Sequence, residues 1–440
     1  MDTVPTPVMT PMRNTIPLAL HSALLAACLV QLLLAAPAVP SPPPGVSLIE
    51  GRLVPFFHNR PVSAFRVYAF HDHTPQPVPF QIDERDERDR WILNHGPKAK
   101  QDSPAGIFDA NDAIVVMNRD LGQRGDPSVL PDRASRWAEV RVGTETDPLG
   151  FVYVGVFPPA QAPPFVTRPY ARYDPATDRV YAERYALAFD APLPTHFAPV
   201  ERLGDFGTNT IAGIKAAADV RLLGGLLSFQ RTHADLRSTL RSYQPGPVRA
   251  IRQARYRVPL PFGLRTSGKV NLIFYRDFVE GSALIKIKIP PRLVLADGEF
   301  KAYFDFLNLS GARLLLNGAP LGEAVNGSMT AAKRALNGRP ARWAALLLPS
   351  GRTIVFIPRL GGALAKLDQR AYYAENTADH GLPHFGFQFY EIKRLESGAH
   401  RLSVFGLLLD SADPDTVRRA AEIFLSPPQV EASLVNAPLD

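Results

Sequence analysis

Between Leu236 and Ile289 the chain alternates apolar and polar residues with a period of two, and this constrains the fold more than any other stretch. Val270, Leu272 and Phe274 alternate with Lys269, Asn271, Ile273 and Tyr275, and Ile285, Ile287 and Ile289 alternate with Lys286 and Lys288. Such a period marks strands with one face in a core and the other in water. With a turn at Gln244-Pro245-Gly246-Pro247 and a corner near Pro259 to Gly263, the stretch reads as three or four strands of one antiparallel sheet. The 43 prolines and 31 glycines suit many strands joined by turns.

A length of 440 residues exceeds one ordinary core. The expected organisation is mainly β: a small sandwich-like N-terminal domain over 46–157, a Pro-rich linker over 158–167, and a large antiparallel β-supersandwich over 168–425. Further strands are expected at Val180 to Phe189, Ala217 to Leu223, Glu299 to Phe306, Arg342 to Leu348, Thr353 to Pro358, Phe385 to Lys393 and His400 to Leu409. Asp413-Pro414 supplies an N-cap and a first-turn proline for a short helix, Asp415 to Phe424, that Pro427-Pro428 ends. Residues 426–440 read as a tail.

At the other end, Arg13 precedes an apolar run from Ile16 to Ala36, followed by the small-x-small site Ala36-Pro37-Ala38 and a Pro-rich linker over 39–45. That order predicts a signal peptide over 1–38 and an exported protein, periplasmic or extracellular. An uncleaved membrane anchor is the rival reading. The chain's one cysteine, Cys28, ends Leu25-Ala26-Ala27-Cys28, which has the form of a lipobox and offers a lipid-anchored alternative. Beyond it there is no thiol, which excludes disulfides and Cys-ligated metal from the folded part.

The net charge of +7 arises from 49 basic and 42 acidic residues, a mixed surface on which no nucleic-acid partner is expected. The local concentration of Arg249, Arg252, Arg255 and Arg257 is either a solvated strand edge or an anion site. Glycine-rich phosphate loops and Gly-x-Ser-x-Gly contexts are missing from the sequence, which argues against nucleotide and serine-hydrolase chemistry.

Two sets of motifs carry a resemblance. Val78-Pro79-Phe80-Gln81-Ile82-Asp83, Asp109 to Met117 and Asp120-Leu121-Gly122 resemble the opening β domain of secreted bacterial proteins related to exo-acting rhamnogalacturonan lyases. Gly246 to Ile251 and Phe274-Tyr275-Arg276-Asp277 are similar to strands of the supersandwich of those proteins and of the galactose-mutarotase-like group. The resemblance implies binding of a polysaccharide or oligosaccharide and leaves catalysis open. A polysaccharide lyase acting on an acidic glycan is one expectation; a non-catalytic glycan-binding module or a structural envelope protein is the alternative.

The polar stretch Tyr372 to His384 offers side chains for such chemistry. Removing the proton alpha to a uronate carboxylate needs a base, an acid for the leaving oxygen and a cation for the enolate. Tyr373, Glu375, His380 and His384 are the candidate catalytic residues, and Tyr372, Arg249 and Arg252 the candidate substrate-binding ones. Asp109, Asn111 and Asp112 offer oxygens to a calcium ion, although their spacing suits an Asx turn equally. His71 and His73, alternating, would share a strand face and could ligate a metal.

Overall fold

The alternating stretch forms the four strands Arg237–Gln244, Ala250–Pro259, Arg265–Phe274 and Phe278–Ile287, paired in sequence order and antiparallel. The structure, a computed structural model, describes residues 44–435 except 191, 223–226, 260–264, 288–291, 293–294 and 376–380. The expected signal peptide, Cys28 and His380 lie outside the described residues. Strands Gly398–Leu409, Thr353–Leu360, Ala344–Leu347 and Arg313–Leu316 extend the sheet to eight. Residues Pro43–Asp440 form one compact unit.

The expected mainly β architecture is what the chain adopts, with the strands among the described residues pairing antiparallel. The α-helices among the described residues are Ala331–Arg334 and Pro414–Leu425. The second is capped as its sequence predicts, the Asp413 carboxylate accepting from the Thr416 N–H at 2.8 Å. It buries Val417, Ala420, Ala421 and Phe424, one stripe at helical spacing, in a core shared with Ile251, Ile273, Phe405 and Ile357 of the eight-stranded sheet.

N-terminally, Val46–Glu50, Ala113–Met117 and Gln81–Asp83 make a three-stranded sheet. The run Ala113–Met117 is buried throughout because both its faces are covered. Ile114 and Val116 join the N-terminal core with Val140, Val152 and Val154, while Val115 and Met117 join the core of the eight-stranded sheet. Within the stretch 426–440 expected as a tail, Val430–Leu434 instead pairs with Arg136–Gly143 and so adds a strand to an N-terminal sheet.

Two other expectations change. Val180 to Phe189 is a hairpin, Arg179–Ala182 and Tyr185–Ala188, with Tyr181 opposite Ala186. His71 and His73 share no strand face, because Asp72 and His73 both take positive φ, 49° and 61°, and turn the chain between Phe65–His71 and Thr74–Pro77.

A five-stranded sheet completes the fold, in the order Leu227–Thr232, Ile211–Leu222, Leu295–Phe306, His384–Tyr390, Asp368–Ala374. One face is apolar: Phe306, Phe385, Phe387 and Phe389 pack on Leu314, Leu346, Ile354 and Phe356 of the eight-stranded sheet. This packing leaves the opposite face to hold polar residues.

Candidate functional site

In Asp368–Ala374 neighbouring residues point to opposite faces, so the strand divides the polar stretch that the sequence offered as one cluster. Tyr373 falls on the apolar side, 1% exposed, and donates its hydroxyl proton to Glu375, itself 2% exposed. The Glu375 carboxylate also accepts from the backbone N–H groups of Asn326 at 3.0 Å and Gly327 at 2.7 Å and pairs with the buried Lys333 ammonium at 2.8 Å. Lys333 in turn donates to Asn326 Oδ1 at 2.7 Å and to the Ser328 carbonyl at 3.0 Å. Both oxygens of the carboxylate are thus committed to a closed internal network. We correct the catalytic assignment of Tyr373 and Glu375 to a structural one: they pin the loop at Asn326 to the five-stranded sheet.

Tyr372 and His384 go to the other face and meet residues from neighbouring strands. Lys215, Tyr303, Gly386 and Tyr372 lie in one row across four strands, and Gly213, Asp305, His384 and Ala374 in the next. The His384 Nδ1–H donates to Asp305 Oδ1 at 2.5 Å, and the second Asp305 oxygen pairs with Lys215 at 3.0 Å. Asp305 therefore fixes the imidazole's tautomer and orientation. The Tyr303 and Tyr372 rings meet edge to face at 5.0 Å across Gly386, where a Cβ would stand only 2.7 Å from Tyr303 Cβ. Glycine at 386 thus permits the close approach of this strand to the backbone at Ala302 and Tyr303.

The same face continues through Lys301, Gln388 and Arg370 in register, with Glu299, Asp368 and Tyr390 beyond. Lys301 pairs with Glu299 at 2.8 Å, Arg370 with Asp368 at 2.7 Å, and the Arg370 guanidinium lies over the Tyr390 ring at 5.4 Å. Asp305 and His384 are 1% and 2% exposed, whereas the side chains of Lys301 and Arg370 retain 29% and 42%. Solvent thus reaches the tyrosine and ion-pair margin, and the imidazole lies beneath it. Sequence reasoning missed Lys215, Lys301, Tyr303, Asp305, Arg370 and Tyr390. The signal was present as Lys301-x-Tyr303-x-Asp305 and Arg370-x-Tyr372, polar residues at alternate positions of strands whose other positions are apolar.

The two arginines expected to bind substrate do not approach this face. Arg249, 1% exposed, pairs with Asp83 at 2.5 Å and stacks over Trp91 at 4.7 Å. Arg252, 2% exposed, makes two 2.7 Å bonds to Asp178 and lies over Phe189 at 4.2 Å. Each is spent on holding a neighbouring sheet to the eight-stranded one, so the substrate-binding role is corrected to a packing one.

The calcium expectation meets a similar answer. Asn111 N–H donates to Asp109 Oδ1 at 2.8 Å, an Asx turn, and the two oxygens of the fully buried Asp112 accept from the backbone N–H groups of Arg85 at 3.1 Å and Asp109 at 2.9 Å. Among the described residues no group of three or more His, Cys, Asp or Glu side chains is placed to hold a metal ion. Asp109 and Asn111 line a surface cleft of about 530 Å³ with Arg85, Lys100 and Asp102.

Burial pushes the Asp112 carboxyl up to about 7, against its two backbone donors and with help from Asp109 and Asp102. Because the folded group keeps its proton to higher pH than an unfolded aspartate, its contribution to stability is full in acid. That contribution is lost as pH rises from 3.8 through about 7. The Asp112 carboxyl resonance is expected to titrate near neutrality in an NMR pH series. A midpoint in the ordinary aspartate range would refute this account of its burial.

No protein-family profile and no curated protein matches the sequence. Among solved structures, an α-mannosidase from Enterococcus faecalis V583 is 10% identical, with 90% of this chain and 45% of that one covered and a TM-score of 0.48. The α-N-acetylgalactosaminidase NagBb from Bifidobacterium bifidum, in complex with GalNAc, is 14% identical over 58% of this chain and 37% of its own, at a TM-score of 0.35. A glycoside hydrolase family 97 enzyme from Pseudoalteromonas sp. strain K8 is 8% identical over 55% and 36%, at 0.27. The chain spans less than half the length of each. These three are glycosidases by description, and none is a rhamnogalacturonan lyase, the family its motifs resemble. At these scores the functional reading rests on the site itself.

Proposed function

We propose that this chain is an exported saccharide-binding protein whose ligand lies against the polar face of the five-stranded sheet. The observation that carries the reading is the alternation that lines that face with tyrosines and ion-paired side chains. Sugars present apolar C–H faces that stack on aromatic rings, and hydroxyls that donate and accept at once. A margin of Tyr390, Arg370–Asp368 and Lys301–Glu299 offers both kinds of partner. Export is proposed from the order of Arg13, the apolar run and Ala36-Pro37-Ala38, with anchoring through Cys28 as its variant.

A processing role is the second reading, favoured by the Asp305–His384 pair, whose geometry is that of an oriented acid or base. It requires the substrate to reach an imidazole that is 2% exposed.

Residues 43–440 should be retained in gels containing a panel of neutral and acidic polysaccharides. Tyr390→Ala and Arg370→Ala should each weaken retention about tenfold, a loss of roughly 1.4 kcal/mol, without lowering the unfolding temperature. Failure to bind any polysaccharide, or unchanged binding in both variants, would remove the reading. Growth of unsaturated uronate absorbance that His384→Ala abolishes would establish the lyase form of the second reading; intact polymer after incubation would dismiss that form.

A further inference from the structure

On the eight-stranded sheet, away from the face just described, Arg255 and Lys269 stand directly opposite one another on adjacent antiparallel strands. Like charges in that position repel, and a fold gains nothing from placing them there. No ion pair among the described residues involves Arg255, Lys269, Arg241 or Lys100, whereas Arg90 pairs with Asp86, and Arg85 and Arg401 both pair with Asp89. Arg241 sits at the bulge where pairing shifts between Leu240 and Ser242, and its Nε is buried without a hydrogen-bond partner. Its backbone carbonyl accepts from the Lys98 N–H at 2.8 Å, which brings the segment carrying Lys100 alongside.

The row next to this pair, on the same face, has a different character. Ser242, Gln253, Asn271, Ser282 and Ser403 lie in register across five strands. Gln253 donates to Asn271 Oδ1 at 2.9 Å and Ser403 to Glu280 at 3.0 Å. Ser242 and Ser403 are buried, whereas Gln253, Asn271 and Ser282 are half-buried and border the unmatched cations.

We propose that this surface binds a phosphate ester borne on a polyhydroxylated carrier, with Arg255 and Lys269 on the phosphate and Gln253 and Asn271 on the carrier's hydroxyls. The charge favours phosphate: a phosphomonoester carries about −1.5 to −2 at neutral pH and matches two or more cations, where a single carboxylate matches one. The amide and hydroxyl row favours a sugar or polyol over a bare ion. Partial burial, together with the positive charges of Arg241, Lys100, Arg90 and Arg255, holds the Lys269 ammonium below the ordinary lysine range. The surface is separate from the five-stranded face, so each proposal stands or falls alone.

The test is calorimetric titration of residues 43–440 at low ionic strength with glucose 6-phosphate, inorganic phosphate and glucose. Glucose 6-phosphate should bind most tightly and glucose alone should give no heat. The Arg255→Gln/Lys269→Gln variant should lose about tenfold or more in affinity for glucose 6-phosphate. Its unfolding temperature should stay level or rise, since the substitution removes repulsion. Equal affinity for inorganic phosphate and glucose 6-phosphate would overturn the carrier and assign the surface to the free ion. Absence of binding by both phosphates, or undiminished affinity in the variant, would overturn the proposal altogether.

Discussion

Replacing Arg249 by methionine is expected to destabilise the protein by about 3–5 kcal/mol, the usual consequence of breaking a buried ion pair from one side. The guanidinium is 1% exposed, bonds Asp83 through Nε at 2.8 Å and donates to the Tyr275 hydroxyl at 2.5 Å. The Arg249 backbone N–H donates to Gln81 Oε1 at 3.1 Å. Methionine fills much of the volume and supplies none of the donors, so the Asp83 carboxylate keeps only Gln81, at 2.6 Å, in a site without water's dielectric. Since Gln81–Asp83 belongs to the N-terminal three-stranded sheet, the loss also loosens that sheet from the eight-stranded one. Urea unfolding measures it. Arg249→Met/Asp83→Leu should recover much of the deficit, because the orphaned charge is then removed as well. A single-variant loss below about 1 kcal/mol would return Arg249 to the list of side chains available for a ligand.

Lys333→Met should cost a similar amount, about 3–5 kcal/mol, for the same reason at the other end of the fold. Here the sign of the pH dependence adds a second reading of the same experiment. Burial alone would raise the Glu375 carboxyl, but Lys333, Tyr373 and the Asn326 and Gly327 N–H groups outweigh it and hold it below the ordinary range. A depressed carboxyl contributes stability that is present above its unfolded value and lost as pH falls through the folded one. Without Lys333 the burial penalty is opposed by fewer partners, and Glu375 takes up a proton at higher pH. The gap between wild type and variant should therefore narrow as pH falls through the range in which the uncompensated carboxyl takes up its proton. A gap that is constant over that window would show that Glu375 is not the group left uncompensated. Under the structural assignment Tyr373→Phe and Glu375→Gln likewise move stability, while saccharide retention by the folded fraction stays unchanged.

The sequence by itself marked many of the strands through their alternation, though it read Val180 to Phe189 as one strand and residues 426–440 as a tail. Val270-x-Leu272-x-Phe274 states its period of two locally, Asp413-Pro414 states a helix start, and the run Ala113 to Met117 states a strand. It also singled out Tyr372 and His384, which share the polar face, together with Arg249 and Arg252, which pair elsewhere with Asp83 and Asp178. Only the tertiary structure decided which of them meet. A period of two says that Tyr372 and Tyr373 point apart, yet which side is covered depends on Leu314, Leu346 and Phe356, strands that the local pattern does not identify as partners. In the same way Arg252 is buried against Asp178 while Arg255, three residues on, opposes Lys269 on the other face of the same strand. The buried partners, Asp83, Asp178, Asp305 and Lys333, come from segments tens to hundreds of residues away. Alternation fixes orientation within a strand; the choice between a packed, paired side chain and one left for a ligand is made by the sheet that arrives to cover it.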